Sequence, residues 1–178
     1  MHPATATEVL ALLAARDRAL FHRFATGPSR HRLVRCGWTL LTHGGGVMMS
    51  IAAATLPMLL GGTIRHAAIQ ALLTLIASHL VVQAIKRTVN RPRPSRADDT
   101  SLKTWAIEPD RFSFPSGHSA AAMSVPLVYA VAFPLLLPVL LPIALFVGFS
   151  RVRLGVHYPG DVLAGQLIAV VTALVVLR

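Results

Sequence analysis

Four long stretches of the chain carry no Asp, Glu, Lys or Arg, and they predict most of its architecture. They cover residues 36–64, 66–85, 112–150 and 162–177. A membrane-spanning helix needs about 20 mainly apolar residues, so the first two stretches hold one span each, near 38–60 and 66–85. The third would form a single helix of roughly 58 Å, about twice the hydrocarbon thickness, and must fold back once.

Prolines locate the break in the third stretch and the start of the last span. Pro134 and Pro138 remove helix hydrogen bonds, which places the break at 133–138. The last stretch reaches spanning length only if its helix begins near 158–159, with Asp161 in the first turn. The sequence therefore predicts an all-α, polytopic membrane bundle of about five transmembrane helices.

Residues 1–35 form an amphipathic, basic segment ahead of a membrane-embedded domain, 36–178. Between residues 6 and 25, apolar and charged positions alternate with helical spacing. This helix does not span, because it would bury Arg16, Asp17 and Arg18 in hydrocarbon. Two interpretations stay open: the helix lies in the membrane interface, or it docks on the protein's own membrane-facing domain.

Composition separates this chain from soluble and disordered proteins. Only 13% of its residues are charged, about half the usual soluble fraction, and its mean hydropathy is +0.61. The net charge of +10 is typical of proteins that meet nucleic acid or an anionic membrane. The long uncharged stretches favour the membrane and disfavour nucleic acid. The single cysteine, Cys36, excludes an intramolecular disulfide and a cysteine-based metal site.

Alternate crossings bring three polar clusters to one membrane face. The clusters are residues 86–94, 115–118 and 150–161. Together they hold Arg and Lys side chains, two His, two Ser and an Asp, for which a phosphoryl group is the natural ligand. A lone basic cluster at a span end usually sets topology, but three clusters on one face favour a binding site.

Two clusters carry candidate catalytic groups. Ser116 is a good N-cap and Gly117 allows close backbone approach, so this helix N-terminus offers N–H groups to an anion. His118 follows in the first turn, where it could protonate a leaving oxygen. His157 and Asp161 are four residues apart and share a face if they lie on a helix. A carboxylate that fixes the imidazole tautomer leaves the other ring nitrogen free to attack.

The three clusters resemble the signature of the type 2 phosphatidic acid phosphatase (PAP2) superfamily of membrane lipid phosphatases. That signature is K-x6-R-P, then P-S-G-H, then S-R-x5-H-x3-D. The matching positions here are Lys86, Arg93, Pro94, Pro115, Ser116, Gly117, His118, Ser150, Arg151, His157 and Asp161. Arg91 and Pro92 form a second Arg-Pro pair, but the family spacing selects Arg93.

The resemblance implies a metal-independent phosphatase that hydrolyses a phosphomonoester or pyrophosphate on a phospholipid or polyprenyl lipid. His157 would attack phosphorus and form a phosphohistidine, and Asp161 would orient and stabilise it. His118 would protonate the leaving oxygen and then activate water. The phosphate oxygens would be held by Lys86, Arg93, Ser116, Gly117 and Arg151. No metal and no other cofactor is expected.

The distribution of basic residues predicts a cytoplasm-facing site. Of the 17 Lys and Arg residues, 15 fall on the face of the three clusters, and only Arg65 and Arg178 fall on the opposite face. The positive-inside rule places the richer face in the cytoplasm. Many family members have six spans, with the first motif after the third, whereas here it follows the second.

Two other classes of protein would use the same basic face. One is a non-catalytic protein that binds anionic lipid headgroups, and the other is a lipid transporter or flippase. Binding needs the Arg and Lys side chains but not two placed imidazoles, so turnover discriminates between the classes.

Three further sequence features concern a histidine, a polar connection and a run of glycines. His79 lies seven residues before Lys86 on one helix face, either supporting the site or making an interhelical hydrogen bond. The polar connection 91–114 either shapes headgroup choice or is a solvated loop. The glycine run 44–46 indicates close helix packing in the first span.

Overall fold

The computed structural model describes residues 5–25, 32–94 and 110–178, and helices dominate these ranges. The helices are α1 (Ala6–Phe24), α2 (Arg32–His43), α3 (Val47–Thr55), α4 (Gly62–Val89), α5 (Gly117–Ala132), α6 (Leu137–Arg153) and α7 (Pro159–Val176). Short 3-10 turns at Leu56–Leu60 and Pro134–Leu136 follow α3 and precede α6. Over the described ranges no strand forms, and one isolated bridge joins Pro92 and Phe112. The expectation of an all-α fold is confirmed for these ranges.

Three helical segments of the described chain are long and apolar enough to cross a membrane. They are Gly62–Val89, Pro134–Arg153 and Pro159–Val176. A fourth span exists if the bent pair Cys36–His43 and Val47–Leu60 counts as one. The protein is therefore an integral membrane protein. Helix α5 is apolar but has only 16 residues, about 24 Å against a hydrocarbon core of about 30 Å. The count of five spans stays a prediction.

The first span departs from the uninterrupted helix expected at 38–60. The chain breaks between α2 and α3, and the two helical parts are bent by 47°. The three glycines at 44–46 close tight turns, because their N–H groups donate to carbonyls three residues back. A β-carbon at Gly45 would lie 2.7 Å from the carbonyl oxygen of His118 and 2.8 Å from the side chain of Val147. The glycine run thus allows close packing, as expected, but at a helix break.

The other helix boundaries follow the sequence closely. Helix α4 extends further than 66–85 and includes Lys86 in its last turn, ending where Asn90 adopts a left-handed conformation with φ 51°. Helix α5 ends before Phe133, so the predicted break at 133–138 is confirmed. Helix α7 begins at Pro159 with Asp161 in its first turn, also as predicted.

Helix α5 lies at the centre of the bundle and contacts α3, α4, α6 and α7. Its buried positions are mostly small residues, including Ser119, Ala120 and Ala122, which let neighbouring backbones approach closely. Ser124 of α5 and Ser78 of α4 share a buried hydrogen bond of 2.9 Å between their hydroxyl groups. Large apolar side chains on the outer faces of α4, α6 and α7 are exposed, as expected for surfaces that meet lipid.

Helix α1 is capped at its start and packs against the bundle near its end. Thr5 and Glu8 form a reciprocal capping box. Phe21 is buried against Val152, Tyr158 and Val162. These contacts favour the docked interpretation of the helix. Its placement in the membrane interface, and the division of the chain at 35/36, stay predictions.

The close packing of Gly45 against α5 and α6 predicts that a larger side chain at this position destabilises the protein. Gly45→Ala should lower the free energy of unfolding by about 1–3 kcal/mol, because the new methyl group must displace backbone of α5 or the side chain of Val147. Thermal unfolding in detergent measures the change. The matched control is Gly37→Ala in α2, where a β-carbon would meet nothing within 4 Å. An equal effect of both substitutions would contradict the close packing.

Candidate active site

The structure brings the three polar clusters together at one end of the bundle. The backbone N–H of Ser116, the N-cap of α5, donates to the carbonyl oxygen of Asp161 in α7 at 2.9 Å. The Arg93 Nη1 donates to the carbonyl oxygen of Val156 at 3.0 Å. The first bond joins the cluster 115–118 to the cluster 150–161, and the second joins the cluster 86–94 to the cluster 150–161.

His157 lies in the turn between α6 and α7, directly beside Asp161. Its Nδ1 is 3.5 Å from Asp161 Oδ2, and its Nε2 is 3.2 Å from Arg93 Nη1. A guanidinium can only donate, so Nε2 is the acceptor and the ring proton belongs on Nδ1, facing Asp161. The two residues meet as predicted, although His157 precedes the helix instead of sharing a helical face with Asp161.

The His157 imidazole is held in its neutral form. Burial lowers its pKa well below the ordinary value, and the positive charges of Arg151 and Arg93 lower it further. A neutral imidazole whose Nε2 carries no proton is the form that can act as a nucleophile. The 3.5 Å separation from Asp161 is longer than an ordinary hydrogen bond, and such bonds often tighten only when substrate is bound.

Lys86 and Arg93 both bind Asp110, which no sequence pattern distinguished from the other acids of its loop. The Lys86 Nζ lies 2.5 Å from Asp110 Oδ2, and Arg93 Nη2 lies 2.7 Å from Oδ1. Burial alone raises the pKa of Asp110, but hydrogen bonds from Lys86 and Arg93 outweigh it and hold that pKa below its ordinary value. Asp110 therefore places a carboxylate anion on the two cations to which the family resemblance assigns phosphate binding.

The start of α5 supplies the second side of the site. The Ser116 hydroxyl caps the helix by accepting from the backbone N–H of Ser119 at 3.4 Å. Gly117 and His118 then line the same cleft as His157. The predicted N-cap is confirmed, and the first turn of α5 faces the cleft that contains the two histidines.

Arg151 lies behind His157 in the protein interior. It is 1% exposed, and its Nη1 donates to the Thr42 hydroxyl of α2 at 2.5 Å. Its backbone carbonyl accepts from the N–H of His157 at 3.3 Å. The structure thus brings this predicted residue to the site, where it both adds positive charge and supports the turn that carries His157.

The site lies at the polar end of an otherwise apolar cleft of about 530 Å³. Its polar end is formed by Lys86, Arg93, Asp110, His118 and His157, and its walls come mainly from α3 and α4. His79 lines the wall and lies 3.3 Å from Gln83, one turn further along the same helix. The shape suits an amphipathic ligand with an anionic end.

Arg91, the Arg of the second Arg-Pro pair, has a different environment from Arg93. Its Nη1 donates to Asp161 Oδ1 at 2.8 Å, and its Nη2 lies 2.8 Å from Asp17 Oδ2 in α1. The repeated Arg-Pro was visible in the sequence, but its pairing with an acid 74 residues earlier was not. The polar connection 91–114 also contains Asp98, Asp99 and Glu108, which lie outside the described residues.

The fold and the site together define an integral membrane protein with a cluster of histidine, lysine and arginine side chains at the polar end of an apolar cleft. Residues 67–178 match the sequence profile of the PAP2 superfamily. This match covers more than half of the chain, and the protein belongs to the PAP2 superfamily.

Individual relatives are similar over part of their length. The chain is 34% identical over 95 residues to a lipid A 1-phosphatase of Rhizobium johnstonii, covering 52% of this chain and 39% of that protein. It is 37% identical over 90 residues to a decaprenylphosphoryl-5-phosphoribose phosphatase of Mycobacterium tuberculosis, covering 49% and 47%. The chain thus spans less than half the length of the curated relatives it matches.

Two crystal structures share the fold over most of the chain. LpxE of Aquifex aeolicus superposes with a TM-score of 0.76 at 24% identity, covering 89% of this chain and 93% of that one. A PAP2-type phosphatidylglycerolphosphate phosphatase of Bacillus subtilis superposes with a TM-score of 0.71 at 25% identity, covering 93% and 84%.

The position of Asp110 predicts competition with anions. Asp110→Asn should bind inorganic phosphate about three- to tenfold more tightly, because Lys86 and Arg93 lose the carboxylate that now pairs with them. The effect is modest since the Asp110 side chain is 39% exposed. Equilibrium binding in detergent measures it, with Glu8→Gln as a control of equal charge change. Unchanged or weaker phosphate binding would mean that Asp110 orients Lys86 and Arg93 for phosphate instead of competing with phosphate for them.

Proposed function

We propose that the protein is a membrane lipid phosphate phosphatase. The observation that carries this proposal is the placement of His157 between Asp161 and Arg93, at the polar end of an apolar cleft. A lipid chain would lie along the walls from α3 and α4, with its phosphate at Lys86, Arg93 and the start of α5. Relatives named as phosphatases of lipid A and of a decaprenylphosphoryl sugar support the substrate class.

The reaction begins with attack on phosphorus. The lone pair of His157 Nε2 forms the nitrogen–phosphorus bond while the bond from phosphorus to the lipid oxygen breaks. Arg93 moves from Nε2 to a phosphate oxygen, and Asp161 stabilises the charge that develops on the imidazole. His118 gives a proton to the leaving oxygen. The substrate carries either a phosphomonoester or a pyrophosphate.

The second half of the reaction releases phosphate. His118, now neutral, takes a proton from a water molecule, whose oxygen attacks phosphorus and breaks the bond to His157. Lys86, Arg93, Arg151, Ser116 and Gly117 stabilise the phosphate oxygens in both steps, through positive charge and N–H or O–H groups. Positioning and preorganised charge supply most of the rate enhancement.

Metal independence is part of the proposal. Within residues 5–25, 32–94 and 110–178 no three His, Cys, Asp or Glu side chains group as metal ligands. The proposed chemistry needs none, because arginine and lysine neutralise the phosphate. Turnover should therefore persist in EDTA, and loss of turnover that Mg²⁺ restores would contradict this part of the proposal.

The active site is proposed to face the cytoplasm. Support comes from the predicted crossings, which assign 15 of the 17 basic residues to the site's side of the membrane. A cytoplasmic site suits dephosphorylation of a biosynthetic lipid intermediate before its export.

Removing either imidazole tests the catalytic roles. His157→Ala should lower kcat at least about 1000-fold, since the nucleophile is lost. His118→Ala should lower it about 100- to 10,000-fold through loss of the general acid and base. Phosphate release from a panel of phospholipid and polyprenyl phosphates in detergent measures both. His66→Ala on the opposite side of the membrane is the control. Turnover that survives in both variants, with intact lipid binding, would favour a binding or transport protein.

Cys36 reports the orientation. This cysteine is exposed in α2, at the end of the first span that lies on the side of the site. An impermeant thiol reagent should label it in inside-out membrane vesicles and leave it unlabelled in intact cells. The reverse pattern would place the active site outside the cytoplasm.

A further inference from the structure

Arg91 joins the N-terminal helix α1 to the buried carboxylate of Asp161. Its two terminal nitrogens each bind one acid at 2.8 Å, Asp161 on one side and Asp17 on the other. Its guanidinium carbon lies 4.0 Å from the centre of the Tyr158 ring. A planar guanidinium that holds two carboxylates and stacks on an aromatic ring has little freedom to turn.

The bond from Arg91 fixes which oxygen of Asp161 faces the imidazole. Asp161 Oδ1 accepts from Arg91, while Oδ2 accepts from the backbone N–H of Tyr158 at 2.9 Å. It is Oδ2 that lies 3.5 Å from His157 Nδ1. The orientation of the carboxylate toward His157 therefore depends on Arg91 as well as on the backbone.

Asp17 is itself anchored to the helix that carries Asp161. Its Oδ1 accepts from the backbone N–H of Gly160 at 2.7 Å, in the first turn of α7, where a negative charge also meets the positive end of the helix dipole. A β-carbon at Gly160 would lie 2.9 Å from Asp17 Oδ2. The absence of a side chain at this position allows the carboxylate to approach.

Apolar packing holds α1 in the register that this contact requires. Phe21 follows Asp17 by one helical turn and is 1% exposed. Its ring packs edge-on against Tyr158 at 5.3 Å between centroids, the same ring that Arg91 covers. At the end of the helix, Arg153 Nη1 donates to the carbonyl oxygen of Phe24 at 3.1 Å.

From these contacts we infer that α1 is a functional part of the active site. Asp17, acting through Arg91, is a positioning residue that holds Asp161 in the orientation His157 needs. This inference rests on the proposed function, because it assigns a purpose to the His157–Asp161 pair. It also separates the two Arg-Pro pairs: Arg93 meets the phosphate side of His157, and Arg91 meets the opposite side through Asp161. Without Asp17, Arg91 is free to turn toward solvent, to which its side chain is already 23% exposed.

The decisive variant is Asp17→Asn, assayed on the lipid phosphate that the wild-type protein turns over best. We expect kcat to fall about tenfold, the size of one charge-assisted hydrogen bond. KM and the inhibition constant of inorganic phosphate should stay within twofold of wild type, because Lys86 and Arg93 are untouched. A general loss of structure would change all three values together.

The matched control is Glu8→Gln on the same helix. This substitution changes the net charge equally, but in the described part of the chain Glu8 bonds to Thr5, near the start of α1. Its kcat should equal that of wild type. A second variant, Gly160→Ala, keeps every charge and displaces the Asp17 carboxylate by contact, so it should reproduce the kcat loss of Asp17→Asn.

A double-mutant cycle tests that Asp17 acts through Arg91. Arg91→Gln should lower kcat at least as much as Asp17→Asn, and the double variant should be no worse than Arg91→Gln alone. Losses that multiply in the double variant would mean that Asp17 acts independently of Arg91, and would overturn the inference.

The same assay separates this inference from the proposed function. If His157→Ala is inactive while Asp17→Asn keeps the wild-type kcat, only the role of α1 is wrong. If His157→Ala retains turnover, the proposed mechanism is wrong and the inference falls with it. A drop in kcat that is matched by an equal change in KM and in phosphate inhibition would also overturn the positioning role.

Discussion

The close crossing of α5 and α7 at their N-terminal ends is the contact on which the rest of the site depends. The N–H of Ser116 donates to the carbonyl oxygen of Asp161 at 2.9 Å, so the cap of one helix is bonded to the first turn of the other. Gly165, one turn further along α7, makes the crossing possible, because a β-carbon there would overlap the carbonyl oxygen of Ser116. This contact sets His118 and the His157–Asp161 pair at the same depth, although they come from segments 39 residues apart.

The burial of positive charge determines how the ionisable groups of the site are paired. Lys86, Arg93 and Arg151 are each less than 5% exposed, and buried cations are costly unless they are paired. In the described residues Asp110 pairs with the first two, while Arg151 binds Thr42. An incoming phosphate can replace the Asp110 carboxylate without leaving either cation unpaired. The same cations keep His157 neutral, since they lower its pKa in addition to burial.

The sequence predicted the features that arise from local patterns or from the alternation of membrane crossings. Uncharged stretches located the long helices, Pro134 located the break between α5 and α6, and Ser116 was identified as an N-cap. The meeting of three motifs at one end followed from alternate crossings. The break at the glycine run 44–46 was missed because glycine packing and glycine helix-breaking have the same sequence signal.

Pairings between distant polar residues were beyond the reach of local patterns. Asp110 is one acid among several in its loop, and Asp17 lies within a helix that the sequence left open to an interfacial or a docked position. Only the three-dimensional approach of α1 to α7 gives Asp17 a partner.

The central claim is that His157 carries phosphorus covalently, and trapping the intermediate tests it most directly. Wild-type protein, mixed with the ³²P-labelled form of the lipid phosphate that it turns over best and quenched in alkali within one turnover, should carry label that is lost in acid and absent from His157→Ala. Label that persists in His157→Ala, or an active wild-type protein that carries none, would contradict the account.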